Sequence, residues 1–150
     1  RMKGGKAFAL WLADRKEFID RNRFESGFGL EIAMLEKAYC CVEEITNIYS
    51  SYYANLAEKG RLIPLYALRV LTCCAQLFAA ESLMDQALLA QKRIGETGPG
   101  HHDYPFYAGK VSSARFFMHN ILPNVYTLAD MIKAADQSAL DCPEEAFLVG

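Results

Sequence analysis

Apolar residues recur along this chain in steps of three and four. The longest such stripe runs Tyr107, Val111, Ala114, Met118, Ile121, Val125, Leu128 and Ile132, a heptad-type seam that suits packing against other helices. It predicts a helix over residues 106–135. Pro123 lies inside it, where it removes a backbone hydrogen bond and crowds the carbonyl of His119, so a kink is expected there. A second stripe, Leu35, Ala38, Val42, Ile45, Tyr49, Tyr52 and Leu56, predicts a helix over residues 30–58, with Gly60 as its stop.

The first helix is expected over residues 6–22. Phe8, Trp11, Leu12, Phe18 and Ile19 form its apolar side, and Asp14, Lys16, Glu17 and Arg21 largely solvate the other. Gly27 and Gly29 break it. A further helix opens near Pro64, a residue tolerated in a first turn, and continues to about Ile94. Residues 65–80 are apolar nearly all round, which places this helix centrally, buried on several sides. Arg69 and Gln76 within it require partners or a route to solvent. Residues 95–105 hold three glycines and two prolines, a composition that predicts a long mobile loop. The tail at 141–147 is expected to make one short turn. Nothing alternates with a strand period. The pattern therefore predicts an all-α fold, an up-and-down antiparallel four-helix bundle, as a single domain over residues 1–150.

Composition narrows the partners. Hydrophobic residues make up 52% of the 150 positions, enough for a core without disulfides or metal. The net charge is −2, which gives no basic field for nucleic acid. Five cysteines occur, four of them as the adjacent pairs Cys40-Cys41 and Cys73-Cys74. No CxxC spacing exists, so they are read as small buried hydrophobes in a reducing compartment. The opening residues show no signal-peptide pattern, and Pro64, Arg69, Gln76 and Glu81 interrupt the most apolar stretch, so a membrane span is not expected and the cytoplasm is.

No constellation for chemistry stands out. A di-iron bundle needs Glu-x-x-His pairs, and none of Glu31, Glu36, Glu43, Glu44, Glu81 and Glu96 has a histidine three places on. His101-His102-Asp103 could in principle hold a metal, but adjacent loop residues seldom converge on one ion, and a solvated loop is the better reading. The Gly95–Gly100 stretch lacks the strand and lysine of a phosphate-binding loop. Arg115 and Lys110 are placed to pair with Glu81 and Asp85 between helices, as structural ion pairs rather than a catalytic set. Eight tyrosines suit a seam with wet edges, or a subunit contact. No catalytic, cofactor-binding or metal-ligating residue is assigned.

The wording of three stretches adds to this. Residues 108–117 (Ala-Gly-Lys-Val-Ser-Ser-Ala-Arg-Phe-Phe), followed by Ile121-Leu122-Pro123, resemble the last helix of the C-terminal extension found in a subset of FAD-dependent acyl-CoA dehydrogenases. The start, Met2-Lys3-Gly4-Gly5-Lys6-Ala7-Phe8, resembles the junction after that family's catalytic helical domain, and residues 138–147 resemble its usual ending. In the family, the full-length enzyme oxidises an acyl-CoA thioester to the enoyl-CoA; a bound FAD takes the hydride, and a glutamate in the preceding domain takes the α-proton. Nothing here matches a family catalytic motif, so neither Glu81 nor Glu145 is given that glutamate's role.

The resemblance implies a non-catalytic C-terminal domain of a longer chain, without cofactor itself, with FAD in the parent enzyme. The opening at Arg1, without an initiator methionine, agrees with an excised domain. Its partners would be the catalytic domains of the same polypeptide, within a homo-oligomer, with no nucleic acid or membrane. Candidate interface residues are Phe8, Trp11, Gly109, Phe116 and Phe117, expected as an apolar patch left exposed on the chain alone. A glycine costs a helix about 1 kcal/mol relative to alanine, which at Gly109 is explained either by close approach of another helix or by simple tolerance near a helix start. The competing reading is a freestanding helical interaction module that dimerises through the same stripes; attachment to a membrane surface is weaker, for want of a strongly basic helix face.

Overall fold

The computed structural model describes residues 5–148. Helices α1 (Lys6–Asn22), α2 (Gly29–Ala54), α3 (Leu56–Lys59), α4 (Leu62–Thr97), α5 (Tyr104–Asn120), α6 (Asn124–Ala134) and α7 (Ser138–Asp141) follow one another, then a 3-10 turn at Glu144–Phe147. Among the described residues there is no strand. The Met2-Lys3-Gly4 part of the junction wording lies outside the described residues.

The core is built as the stripes predict. Leu35, Ala38, Val42 and Ile45 of α2 are each 1% exposed or less, as are Cys73, Leu77, Ala80 and Met84 of α4 and Ala114 and Met118 of α5. Hydrogen bonds and ion pairs fix the helix directions. Tyr66 donates to the Asp136 carbonyl just past α6, Cys73 Sγ lies 4.0 Å from the Val125 carbonyl, and Lys110 donates to Gln86. Along α4 the numbers rise as its partners' fall, so α4 runs antiparallel to α5 and α6. Along α2, Glu31 faces His119, the Met34 carbonyl accepts from Tyr126 and Glu44 faces Lys133, so α2 runs parallel to them. α1 lies against α2 and the middle of α4, tied by Arg23–Glu36 and Arg15–Glu81.

Several expected elements are divided or moved. The helix expected over 30–58 stops at Ala54; Asn55 leaves helical backbone (φ −129°, ψ 64°), and the short α3 follows. Leu56, the last position of that stripe, is consequently 61% exposed. Gly60 does end α3: a Cβ there would meet the Leu56 carbonyl oxygen at 2.5 Å. The loop expected over 95–105 shrinks to residues 98–103. α4 runs on through Thr97, whose hydroxyl donates to the Arg93 carbonyl, and the chain turns at Gly98 (φ 76°). Pro105 then sits in the first turn of α5, where its missing N–H leaves no unmet donor.

Pro123 interrupts the last long helix rather than kinking it. Lacking an N–H, it ends the α-helical ladder at Asn120; the Ile121 and Leu122 amides both donate to the Phe117 carbonyl, and α6 restarts at Asn124. The break also shifts the seam by one residue. Ile121 and Leu128 become partly buried flanks, while Leu122 and Ala129 join Val125 and Ile132 in the core at 0% exposure.

α4 departs most from expectation. It does lie centrally, with its core stripe packed by α2, α5 and α6 and α1 alongside, but its apolar surface is not covered all round. Leu68, Leu71 and Phe78 are 73%, 65% and 52% exposed. Pro64, Arg69, Gln76 and Glu81 do not stop it from being long and apolar enough to cross a membrane, by length and composition alone. Its buried stripe makes it a core helix; its other face is left open.

Candidate functional site

The buried polar groups hold helices together. Arg15 of α1 pairs with Glu81 of α4, both largely shielded, with side chains 11% and 16% exposed. Arg15 also donates to the Trp11 carbonyl, and its guanidinium lies 5.0 Å from the Trp11 ring centroid and 5.5 Å from that of Phe78. A second cluster surrounds Glu31, whose side chain is 7% exposed. Arg115 Nε lies 3.3 Å and His119 Nε2 3.4 Å from Glu31 Oε1; Arg115 also donates to the Gly27 carbonyl at 2.9 Å and covers the Phe28 ring. Glu31 sits in the first turn of α2, where the helix dipole favours a carboxylate. This cluster clamps the end of α5 onto the α1–α2 turn.

The expected pairing of Arg115 and Lys110 with Glu81 and Asp85 is therefore corrected. Glu81 is taken by Arg15, Arg115 turns to Glu31 on the opposite helix, and Lys110 meets Gln86. Spacing placed the charges on the right helices but did not show which faces they occupy. Arg69 is met by the Tyr66 ring at 5.2 Å. Gln76 Oε1 is buried without a donor.

The cysteines divide by position. Cys73 is buried and Cys41 and Cys74 partly so, but Cys40 and Cys142 are exposed, contrary to the expectation of buried hydrophobes; Cys40 falls on the solvent side of α2. Burial pushes the Cys73 thiol up to about 12 and the Cys74 thiol to about 11, so neither supplies a thiolate nucleophile near neutral pH. Some tyrosines fill seams with their hydroxyls engaged, Tyr49 donating to the Ile63 carbonyl and Tyr126 to that of Met34, whereas the buried Tyr52 hydroxyl has no partner among the described residues. His101, His102 and Asp103 do bring ligand atoms within 4.8 Å of one another, on a partly exposed turn closed by the Asp103 amide donating to His101 Nδ1.

The candidate interface residues do not form one patch. Phe8 and Trp11 stack on each other at 5.3 Å, partly buried against the core. Phe117 packs inward toward α4, whereas its neighbour Phe116 is 61% exposed. Gly109 lies on the solvent side of α5, and a Cβ there would meet nothing within 4 Å. No neighbour within the described residues requires the glycine. Gly109→Ala is therefore expected to stabilise this chain, by up to about 1 kcal/mol in urea unfolding. A destabilised variant would show that this position tolerates no side chain.

The described residues are all-helical, without a strand. The sequence profile described as "Acetyl-CoA dehydrogenase C-terminal like" matches residues 11–143, and the chain belongs to that family. It is 35% identical over 147 residues to each of two proteins named butyryl-CoA dehydrogenase from Syntrophomonas wolfei subsp. wolfei. Those alignments take in 98% of this chain and 23% of each relative, so the chain spans about a quarter of the length of the curated relatives it matches.

Proposed function

We propose that this chain is the non-catalytic C-terminal helical domain of an FAD-dependent acyl-CoA dehydrogenase, and that it supports packing on the catalytic body or assembly of the subunits. The observation that carries the reading is the near-complete match of this chain to a quarter-length stretch of two acyl-CoA dehydrogenases. On this reading the fold is an up-and-down four-helix bundle whose fourth position is shared by α5 and α6. The homo-oligomer and the cytoplasmic setting belong to the same proposal.

FAD does not fit within this chain. Its surface recesses are open, and the two that carry a pair of cations mix them with carboxylates, Lys59 and Lys133 with Glu58 in one and Arg21 and Lys92 with Glu25 and Asp85 in the other, which would repel a diphosphate. On this reading the flavin and the proton-abstracting base lie in the remainder of the polypeptide.

Detection of the native protein in source lysate, by an antibody against this chain, tests the proposal. The expected result is a product several times larger than 16.8 kDa that co-purifies with flavin absorbance. A colourless product of this chain's own mass would overturn it.

A further inference from the structure

We infer that the open face of α4 is the surface on which this domain docks, and that its occupant is a helix from the part of the same polypeptide lying outside this chain. The inference rests on the reading just given and names the surface that reading leaves open. Leu68, Leu71, Ala75 and Phe78 are all exposed and follow one another at steps of three, four and three. α4 thus has two seams. One is filled by α2, α5 and α6; the other has the same spacing and no partner among the described residues. Such a stripe, on the shoulder of a groove floored by Ala75, Gln76, Ala79, Phe117 and Ile121, is shaped for a helix ridge.

Three observations favour protein over lipid and place the partner in the same polypeptide. Gln76 lines the groove, and its Oε1 is shut off without a hydrogen-bond donor. A small rotation of the amide would let an incoming side-chain O–H or N–H satisfy it, which acyl tails cannot do. The cations bordering the face, Arg15 and Arg69, are engaged by Glu81 and by the Tyr66 ring, leaving little to attract anionic lipid headgroups. The relatives extend over more than three-quarters of their length beyond the matched region, which supplies the partner in cis.

Hydroxyl-radical footprinting of the native full-length protein tests this with an internal control. Leu71 and Leu30 are equally exposed in this chain, at 65% and 64%, but Leu30 lies on a different helix, in the first turn of α2, and does not line the groove. Leu71 is expected to react about fivefold more slowly than Leu30 at every protein concentration, as buried interface positions do. Equal rates in a large, flavin-bearing protein would overturn the docking surface while leaving the domain assignment standing. Protection that appears only as concentration rises would assign the face to a second copy. Protection only with phosphatidylserine vesicles would assign it to a membrane. Either result overturns the inference. A native product of this chain's own mass, without flavin, would remove the inference together with the reading beneath it.

Discussion

Glu81→Ala is expected to destabilise this chain by about 2–4 kcal/mol, read by urea unfolding. Removing one member of a buried ion pair leaves the other charge uncompensated, which costs about 3–5 kcal/mol in fully buried cases; the slight exposure of this pair lowers the figure. Arg15 is the charge left behind, wedged between Trp11 and Phe78 and donating to the Trp11 carbonyl. In thermal unfolding the loss corresponds to about 2–4 °C per kcal/mol for a chain of this size. The double variant Arg15→Met with Glu81→Leu is expected to recover most of the loss, because two apolar side chains of similar volume do not carry the desolvation cost of the ions. A change below about 0.5 kcal/mol on Glu81→Ala would place this site with ordinary surface positions and would mean that α1 is not fastened to α4 by this pair.

The helical stripes of α2 and α5 were legible because each follows from side-chain spacing alone. Leu35 through Ile45 and Val111 through Met118 fall on the core as their three-and-four pattern requires. What spacing could not show was where the backbone gives way. Asn55 carries no strong stop signal, so the stripe was carried on to Leu56. Pro123 was recognised as a disturbance, but not that two amides would share the Phe117 carbonyl and move the seam from Ile121 to Leu122. The glycines at 95–100 looked like loop, yet Gly95 is helical and the turn waits for Gly98, the one whose φ of 76° a side chain would resist.

The α4 error has a different origin. A helix apolar all round has the same pattern whether its second face meets its own domain or another one. Composition therefore predicted burial, while the structure leaves Leu68, Leu71 and Phe78 exposed. The same ambiguity explains the candidate interface. Phe116 and Phe117 are adjacent, and adjacent helical positions point about 100° apart, so one packs inward and the other faces solvent. The family wording was legible at residues 108–123 because it depends on residue identity; the docking surface was not, because it depends on which faces of α4 the other helices leave uncovered.

That distinction can be measured on α4 itself. Leu77 is 0% exposed and lies in the middle of the helix that contacts α2, α5 and α6. Leu77→Ala should therefore cost about 2–5 kcal/mol, the transfer of the lost methyl groups plus the cavity left between helices that cannot fully close. Fully buried alanines at 80, 87 and 114 already bring the α4 and α5 backbones close together, leaving little slack to refill the space, so the upper half of that range is expected. Leu71→Ala removes the same atoms from the open face of α4. In this chain alone it should change stability by no more than about 0.5 kcal/mol. A small effect at Leu77 would mean that the core seam is looser than its burial indicates. A large effect at Leu71 would mean that the outward face already contributes to the fold of this domain rather than waiting for a partner.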